Sequence, residues 1–260
     1  MSGIYNVFLK WAPADKSQTA AWGRHHLTFA NRYEADEFYR LLQTVRNANL
    51  PMFAGLTRAS PQFWSHSGLL WHSVHDVQAL GLADDFRTTL STVLINDGQV
   101  GGRTFDLIEN AVTGPDWVSG GTFFVRNRRQ RELYWCVHGG YVHTSEEKRT
   151  KFRVELEETP EGQEGKMVLV RGDRVVVSVV QEAYSVELGD RKYLGVEDFD
   201  GGQVSRLALV STPHVWTFGD LVLKKVGVRW EDVRDGSGNV ESRPTLVPMS
   251  EGGEDEWELC

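Results

Sequence analysis

Gly120–Glu158, GGTFFVRNRRQRELYWCVHGGYVHTSEEKRTKFRVELEE, is the stretch on which the fold turns. Three short apolar runs, Thr122–Val125, Leu133–Val137 and Lys151–Leu156, are parted by charged or glycine-rich turns, the pattern of strands joined by hairpins. A fourth run, Tyr141–Thr144, follows Leu133–Val137 across Gly139-Gly140 and predicts a tight hairpin.

Working outward, the same layout returns twice. Met167–Val170, Val175–Val180, Lys192–Val196 and Leu207–Val210, leading to Val215–Phe218, form a second set; Leu221–Val226, Val228–Val233, Thr245–Val247 and Trp257–Leu259 form a third. Three units of four strands are what a threefold β-trefoil requires. Each unit ends on an aromatic closing strand carrying Phe152, Trp216 or Trp257. In such a fold the closing strands meet in one core, where a ring fills volume that would otherwise be a costly void. These three rings are therefore expected inside.

The glycine-led hairpin strands Gly140-Tyr141-Val142, Lys192-Tyr193-Leu194-Gly195 and Pro244-Thr245-Leu246, each with its later aromatic closing strand, resemble the β-trefoil superfamily over residues 118–260. The pattern is most similar to fungal intracellular lectins, trefoil protease inhibitors and fascin-like trefoils with their Tyr-Leu-Gly turn. Ricin-B-type sugar binders place a Gln two positions before the closing aromatic. The matching positions here are Thr150, His214 and Asp255, so the Gln-x-Trp motif is absent and none of that family's sugar-binding residues is carried over.

Upstream the pattern is mixed. Ile4–Trp11 alternates as a strand, His25–Phe29 reads as a second, and Asn31 caps a helix with Glu34 in capping-box position and an apolar stripe of Tyr33, Phe38, Leu41, Leu42 and Val45. That helix is expected to stop near Asn47–Asn49, ahead of Pro51. The run SPQFWSHSGLLWHSVHDVQ, residues 60–78, fits neither period and reads as a hairpin or irregular surface, whereas Phe86, Leu90, Val93 and Leu94 after Asp84 read as a helix ending at Asn96-Asp97-Gly98. Thr113–Asp116 marks the boundary. The expectation is an α+β N-terminal region, residues 1–116, followed by an all-β, β-trefoil-like C-terminal domain, residues 117–260.

Composition narrows the function. The formal net charge is −8, with 9 Lys+Arg against 10 Asp+Glu through residue 114 and 19 against 26 beyond it. So acidic a second half would repel a phosphate backbone, and general nucleic-acid binding is not expected. The cluster Arg126, Arg128, Arg129, Arg131 is the exception and reads first as a solvated hairpin turn. Neither a signal-peptide pattern nor an apolar run of membrane-spanning length is present, which predicts a cytoplasmic protein without a membrane span. Cys136 and Cys260 have no predicted bridge.

Several groups could carry chemistry. His66, His72, His75 and Asp76 are the densest set of potential ligands, but no metal-binding spacing joins them. Cys136 with His138 and His143 could place a thiol beside a base, although a cysteine inside Tyr134–Val137 reads as a small core residue. The carboxylate groups Asp84-Asp85, Asp198/Asp200 and Glu254–Glu256 read as solvated turns or tail, and Asp198, Asp200 and Gly201-Gly202 match no calcium loop. Exposed aromatics are the stronger lead. Trp64, Trp71 and Trp230 sit in polar surroundings, where a ring offers large contact area with few rotors to freeze.

The expectation is thus a non-catalytic, lectin-like protein that recognises a glycan or a protein through trefoil loops, with no cofactor and no metal, and with a homodimer left open. The alternatives are an enzyme using His25, His26, His72 or His75 in the N-terminal domain, and a cytosolic protease inhibitor presenting Arg234–Arg243.

Overall fold

The computed structural model describes residues 4–13, 23–68, 73–86, 91–95, 114–159, 167–180, 192–199, 204–223, 225–234, 240–249 and 255–260. The chain divides into two compact units, Met1–Asp116 and Trp117–Cys260. It is mostly β, and among the described residues no helix is long and apolar enough to cross a membrane.

The first unit contains β1 (Tyr5–Trp11), β2 (Arg24–Phe29), α1 (Arg32–Thr44), β3 (Arg46–Asn47), β4 (Leu50–Pro51), β5 (Thr57–Ser60), β6 (Phe63–His66), α2 (Ser73–Ala79), a 3₁₀ turn at Asp84–Phe86 and β7 (Ser91–Ile95). Five of these strands form one sheet in the order β5-β6-β1-β2-β7, with β1 antiparallel to β2 and parallel to β6. Alternation along β1 buries Tyr5, Val7, Leu9 and Trp11 on one face. α1 carries the complementary apolar stripe, and Phe29 meets Phe38 at 5.5 Å while Trp64 meets Tyr39 at 5.0 Å between ring centres.

The start of α1 is set as the sequence predicts: the Asn31 side chain accepts from the Glu34 amide at 3.1 Å and donates to the Glu34 carboxylate at 3.3 Å. Residues 60–78, expected as a hairpin or irregular surface, form the turn and second strand of the β5–β6 hairpin and most of α2, so the hairpin reading holds for the first part of the stretch. One segment departs from expectation. Of the helix expected after Asp84, Asp84–Phe86 form a 3₁₀ turn, residues 87–90 lie outside the described residues, and Ser91–Ile95 is a strand paired antiparallel to β2. Thr92, Val93 and Ile95 are β-branched, and pairing at a sheet edge favours them over the helical spacing of the same residues.

The second unit contains β8 (Gly121–Phe123), β9 (Val125–Asn127), β10 (Tyr134–His138), β11 (Tyr141–Ser145), β12 (Phe152–Leu156), β13 (Arg174–Val179), β14 (Tyr193–Phe199), β15 (Val204–Val210), β16 (Val215–Thr217), α3 (Phe218–Val222), β17 (Val226–Arg234), β18 (Val240–Pro248) and β19 (Trp257–Leu259). The twelve strands among its described residues belong to one sheet. Within it β19 pairs with β9, β8 with β12, β12 with β13 and β13 with β16, and an isolated bridge joins Leu223 to Glu256 beside β19.

Three hairpins, β10–β11, β14–β15 and β17–β18, belong to the same sheet. Gly139 and Gly140, at φ +59° and +85°, make the two-residue turn of the first, a conformation other residues adopt at a steric cost. The second strands of the hairpins meet: Tyr141 pairs with Ala208, His143 with Thr245, and β15 lies beside β18.

Two kinds of side-chain bond each recur at two hairpins. The closing-strand indole of Trp257 donates to the Val226 carbonyl at 2.7 Å, and that of Trp216 to the Leu194 carbonyl at 3.0 Å, each on the first strand of its own hairpin. Two residues before the closing aromatic, Thr150 Oγ1 accepts from the Val137 amide at 2.9 Å and an Asp255 carboxylate oxygen accepts from the Val228 amide at 3.0 Å. Thr150 and Asp255, two of the three positions that lack the Gln of the sugar-binding motif, thus satisfy backbone donors with shorter side chains.

The core forms around Trp135, which meets Trp257 at 5.4 Å and Phe152 at 5.9 Å, with all three rings wholly buried. Trp216 differs from expectation: it is only part-buried and lies against His214 at 4.6 Å. Trp135 is the third ring of the core, a place the closing-strand pattern assigns to Trp216. The expected strand Leu221–Val226 is also corrected, because Phe218–Val222 forms α3 with Phe218, Leu221 and Val222 buried.

Candidate binding surface

Among the tryptophans proposed from sequence as ligand platforms, Trp64 is corrected outright. It is 2% exposed, because β6 is interior to the five-stranded sheet and turns this side chain toward α1; its indole donates to the Pro61 carbonyl at 3.0 Å. Trp71 lies outside the described residues. Trp230 is 67% exposed. It sits midway along β17 opposite Pro244 of β18, beyond a root in which Val226, Thr245 and Leu246 are buried. Rigid pairing at the root and an outward ring at mid-strand give a preformed apolar face with little entropy left to lose.

The histidines separate. His25 and His66 are buried, while His75 is exposed with its ring 5.4 Å from that of His25. His66 packs on Phe53 at 4.8 Å, and neither of its ring nitrogens meets a hydrogen-bond partner among the described residues. Burial, reinforced by His25, pulls its pKa down to about 4, so at neutral pH it is an uncharged core side chain. Gly68 is fitted to the same spot, since a Cβ there would lie 1.9 Å from the Met52 carbonyl oxygen. His72 lies outside the described residues, and among those described no group of three or more His, Cys, Asp or Glu is placed to hold a metal ion.

Cys136 and His143, which the sequence groups together with His138, are direct cross-strand partners in the β10–β11 hairpin. The pair does not make an activated thiolate, because burial pushes the Cys136 thiol up despite the nearby Lys148. His143 instead lies 3.4 Å from the Thr245 hydroxyl, and His138 is exposed at the end of its strand.

Sequence reasoning also missed a buried charge cluster in the first unit. Arg58 reaches Asp36 at 2.6 Å and Asp116 at 2.9 Å, while Arg32 lies 3.4 Å from Asp36 and donates to the Pro115 carbonyl at 2.8 Å. The Arg58 guanidinium lies 5.3 Å from the centre of the Tyr39 ring and 5.7 Å from that of Trp64. Burial pushes the Tyr5 hydroxyl up to about 12 and raises Asp36 against the downward pull of Arg58 and Arg32. The i,i+4 spacing of Arg32 and Asp36 was a visible signal, but Arg58 and Asp116 reach the same point only through the fold. The cluster ties residues 115 and 116 to the sheet and helix.

Arg126 and Arg128 of the basic cluster are spent on ion pairs. Arg126 donates through Nε to Glu258 at 2.9 Å, and Arg128 to Glu256 at 2.8 Å, both acids lying on or beside β19. A different basic group lies on the adjoining surface: the Arg149 guanidinium is 4.6 Å from the Phe124 ring centre and 5.6 Å from that of Tyr134, and Lys151 Nζ is 5.3 Å from Phe124. Phe124 and Tyr134 stand edge to face at 6.5 Å and 86°.

No protein-family model matches this chain, and no curated protein matches it in sequence.

Proposed function

We propose that this chain is a non-catalytic binding protein whose second unit is a β-trefoil and recognises a glycan through the exposed surface centred on Trp230. The trefoil reading is supported by the three hairpins whose second strands meet and by the repeated bonds from closing-strand side chains to hairpin backbones. Trp230 carries the functional reading. An indole held 67% exposed on a paired strand forgoes the gain of burial, and the C–H face of a pyranose restores it by stacking.

The test is a glycan array probed with the full chain and with Trp230→Ala. Binding to a subset of glycans that falls at least tenfold in the variant, with an unchanged melting temperature, supports the proposal. An array without signal, or equal signal from the variant, overturns it, and a pull-down that instead recovers a protein losing contact with Trp230→Ala assigns the ring to a protein partner.

A further inference from the structure

We infer that Arg149 and Lys151, seated on Phe124 beside Tyr134, form a subsite for the sulfate or carboxylate group of an acidic sugar; this rests on the glycan reading and names the ligand's charge. Both side chains are exposed on the approach to β12, while Thr150 and Phe152 between and after them are buried, and both cations lie over the one Phe124 ring. The backbone there is pinned, with the Thr150 amide donating to the Trp135 carbonyl and the Val180 amide to the Lys151 carbonyl, each at 2.9 Å. The two charges therefore ride on a fixed support.

Their environment calls for an anion. Arg126, Arg128 and Arg174 each hold a carboxylate at 2.5–2.8 Å. Arg149 and Lys151 hold none among the described residues. Two like charges gathered on one ring repel, and an oxyanion between them turns that repulsion into two attractions. The ring quadrupole of Phe124 keeps both cations in place before the ligand arrives. All this stands in a half of the chain where acids outnumber bases 26 to 19, so general attraction to polyanions is not the explanation.

A sugar suits the site better than an acidic peptide. The cations share one ring, which fits a single compact oxyanion rather than an extended row of carboxylates. A pyranose also carries its charge on a rigid frame with an apolar face for Tyr134, where a Glu or Asp side chain loses rotamer freedom on binding.

Titrating the full chain with dextran sulfate, neutral dextran and polyglutamate tests this. The expected result is binding of dextran sulfate that weakens with added salt and falls tenfold or more in the double variant Arg149→Ala/Lys151→Ala, with little response to neutral dextran or polyglutamate. Unchanged binding by the double variant, equal binding of neutral dextran, or tighter binding of polyglutamate overturns the inference. Lys151→Glu, another exposed substitution, must abolish dextran sulfate binding even if the double variant is poorly folded. Because Trp230 is a separate element, loss of array signal in Trp230→Ala with dextran sulfate binding intact upholds the platform and the subsite individually. An inert Trp230→Ala beside a defective double variant removes only the Trp230 platform.

Discussion

His66 makes the first unit sensitive to acid. Its folded pKa of about 4 lies below the unfolded value near 6.5, so the unfolded chain binds the proton more readily throughout that interval. Stability is therefore level above pH 6.5, declines as the pH falls through the interval, and levels again below 4, with a total loss of about 3 kcal/mol. Urea denaturation at pH 7.0, 5.5 and 4.5 should show this slope in the native chain and a shallower one in His66→Phe; parallel slopes would refute the assignment. Asp36→Ala leaves Arg58 buried beside a lost partner and should destabilise by about 3–5 kcal/mol, whereas Asp116, whose side chain is 29% exposed, should cost about 1 kcal/mol when replaced by Asn. Two tryptophans show what was legible at this scale. Trp64 and Trp230 both sit among polar neighbours in sequence, but only the parallel pairing of Leu9 with Trp64 decides that one of them is covered, and no local window contains that pairing.

At the scale of single elements, the side chains two positions before the closing aromatics are the useful probes. Asp255 bonds both the Val228 amide and the Asn127 side chain at 3.0 Å, joining β17 to β9 through one carboxylate. Asp255→Ala strands a backbone donor and should cost about 1–3 kcal/mol, with faster amide exchange at Val228 as the local signature; unchanged exchange there would count against this role. Asn31→Ala should cost about 1 kcal/mol through the lost cap. The helix α1 was legible because its signals are local: a cap, an acid three residues on and a stripe of one period. β7 and α3 were not, since Ser91–Ile95 becomes a strand through β2, and Phe218–Val222 coils where a strand was expected while still burying the same apolar side chains.

For the whole molecule, two compact units predict that residues 1–116 and 117–260 each fold when expressed alone and that the full chain melts in two steps separable by calorimetry. A single two-state transition, together with unfolded halves, would contradict the division. The strand-rich character of the chain was visible from residue 120 onward because hairpin turns and period-two alternation are short-range. Which ring fills the centre was not: Trp135 belongs to a hairpin in sequence and enters the core only because Trp257 and Phe152 converge on it from either side.

The pairing of β19 with β9 also governs the order of events in synthesis. Glu258 bonds Arg126, 132 positions earlier, and the Cys260 and Phe124 backbones exchange two bonds at 2.9 Å. Trp257 is the last of the three core rings to leave the ribosome, and Trp135 and Phe152 must wait for it with their apolar faces uncovered. So distant a closure makes for slow maturation and a nascent chain that chaperones can grip. Deleting Trp257–Leu259 would accordingly remove a stave of the sheet rather than trim a tail.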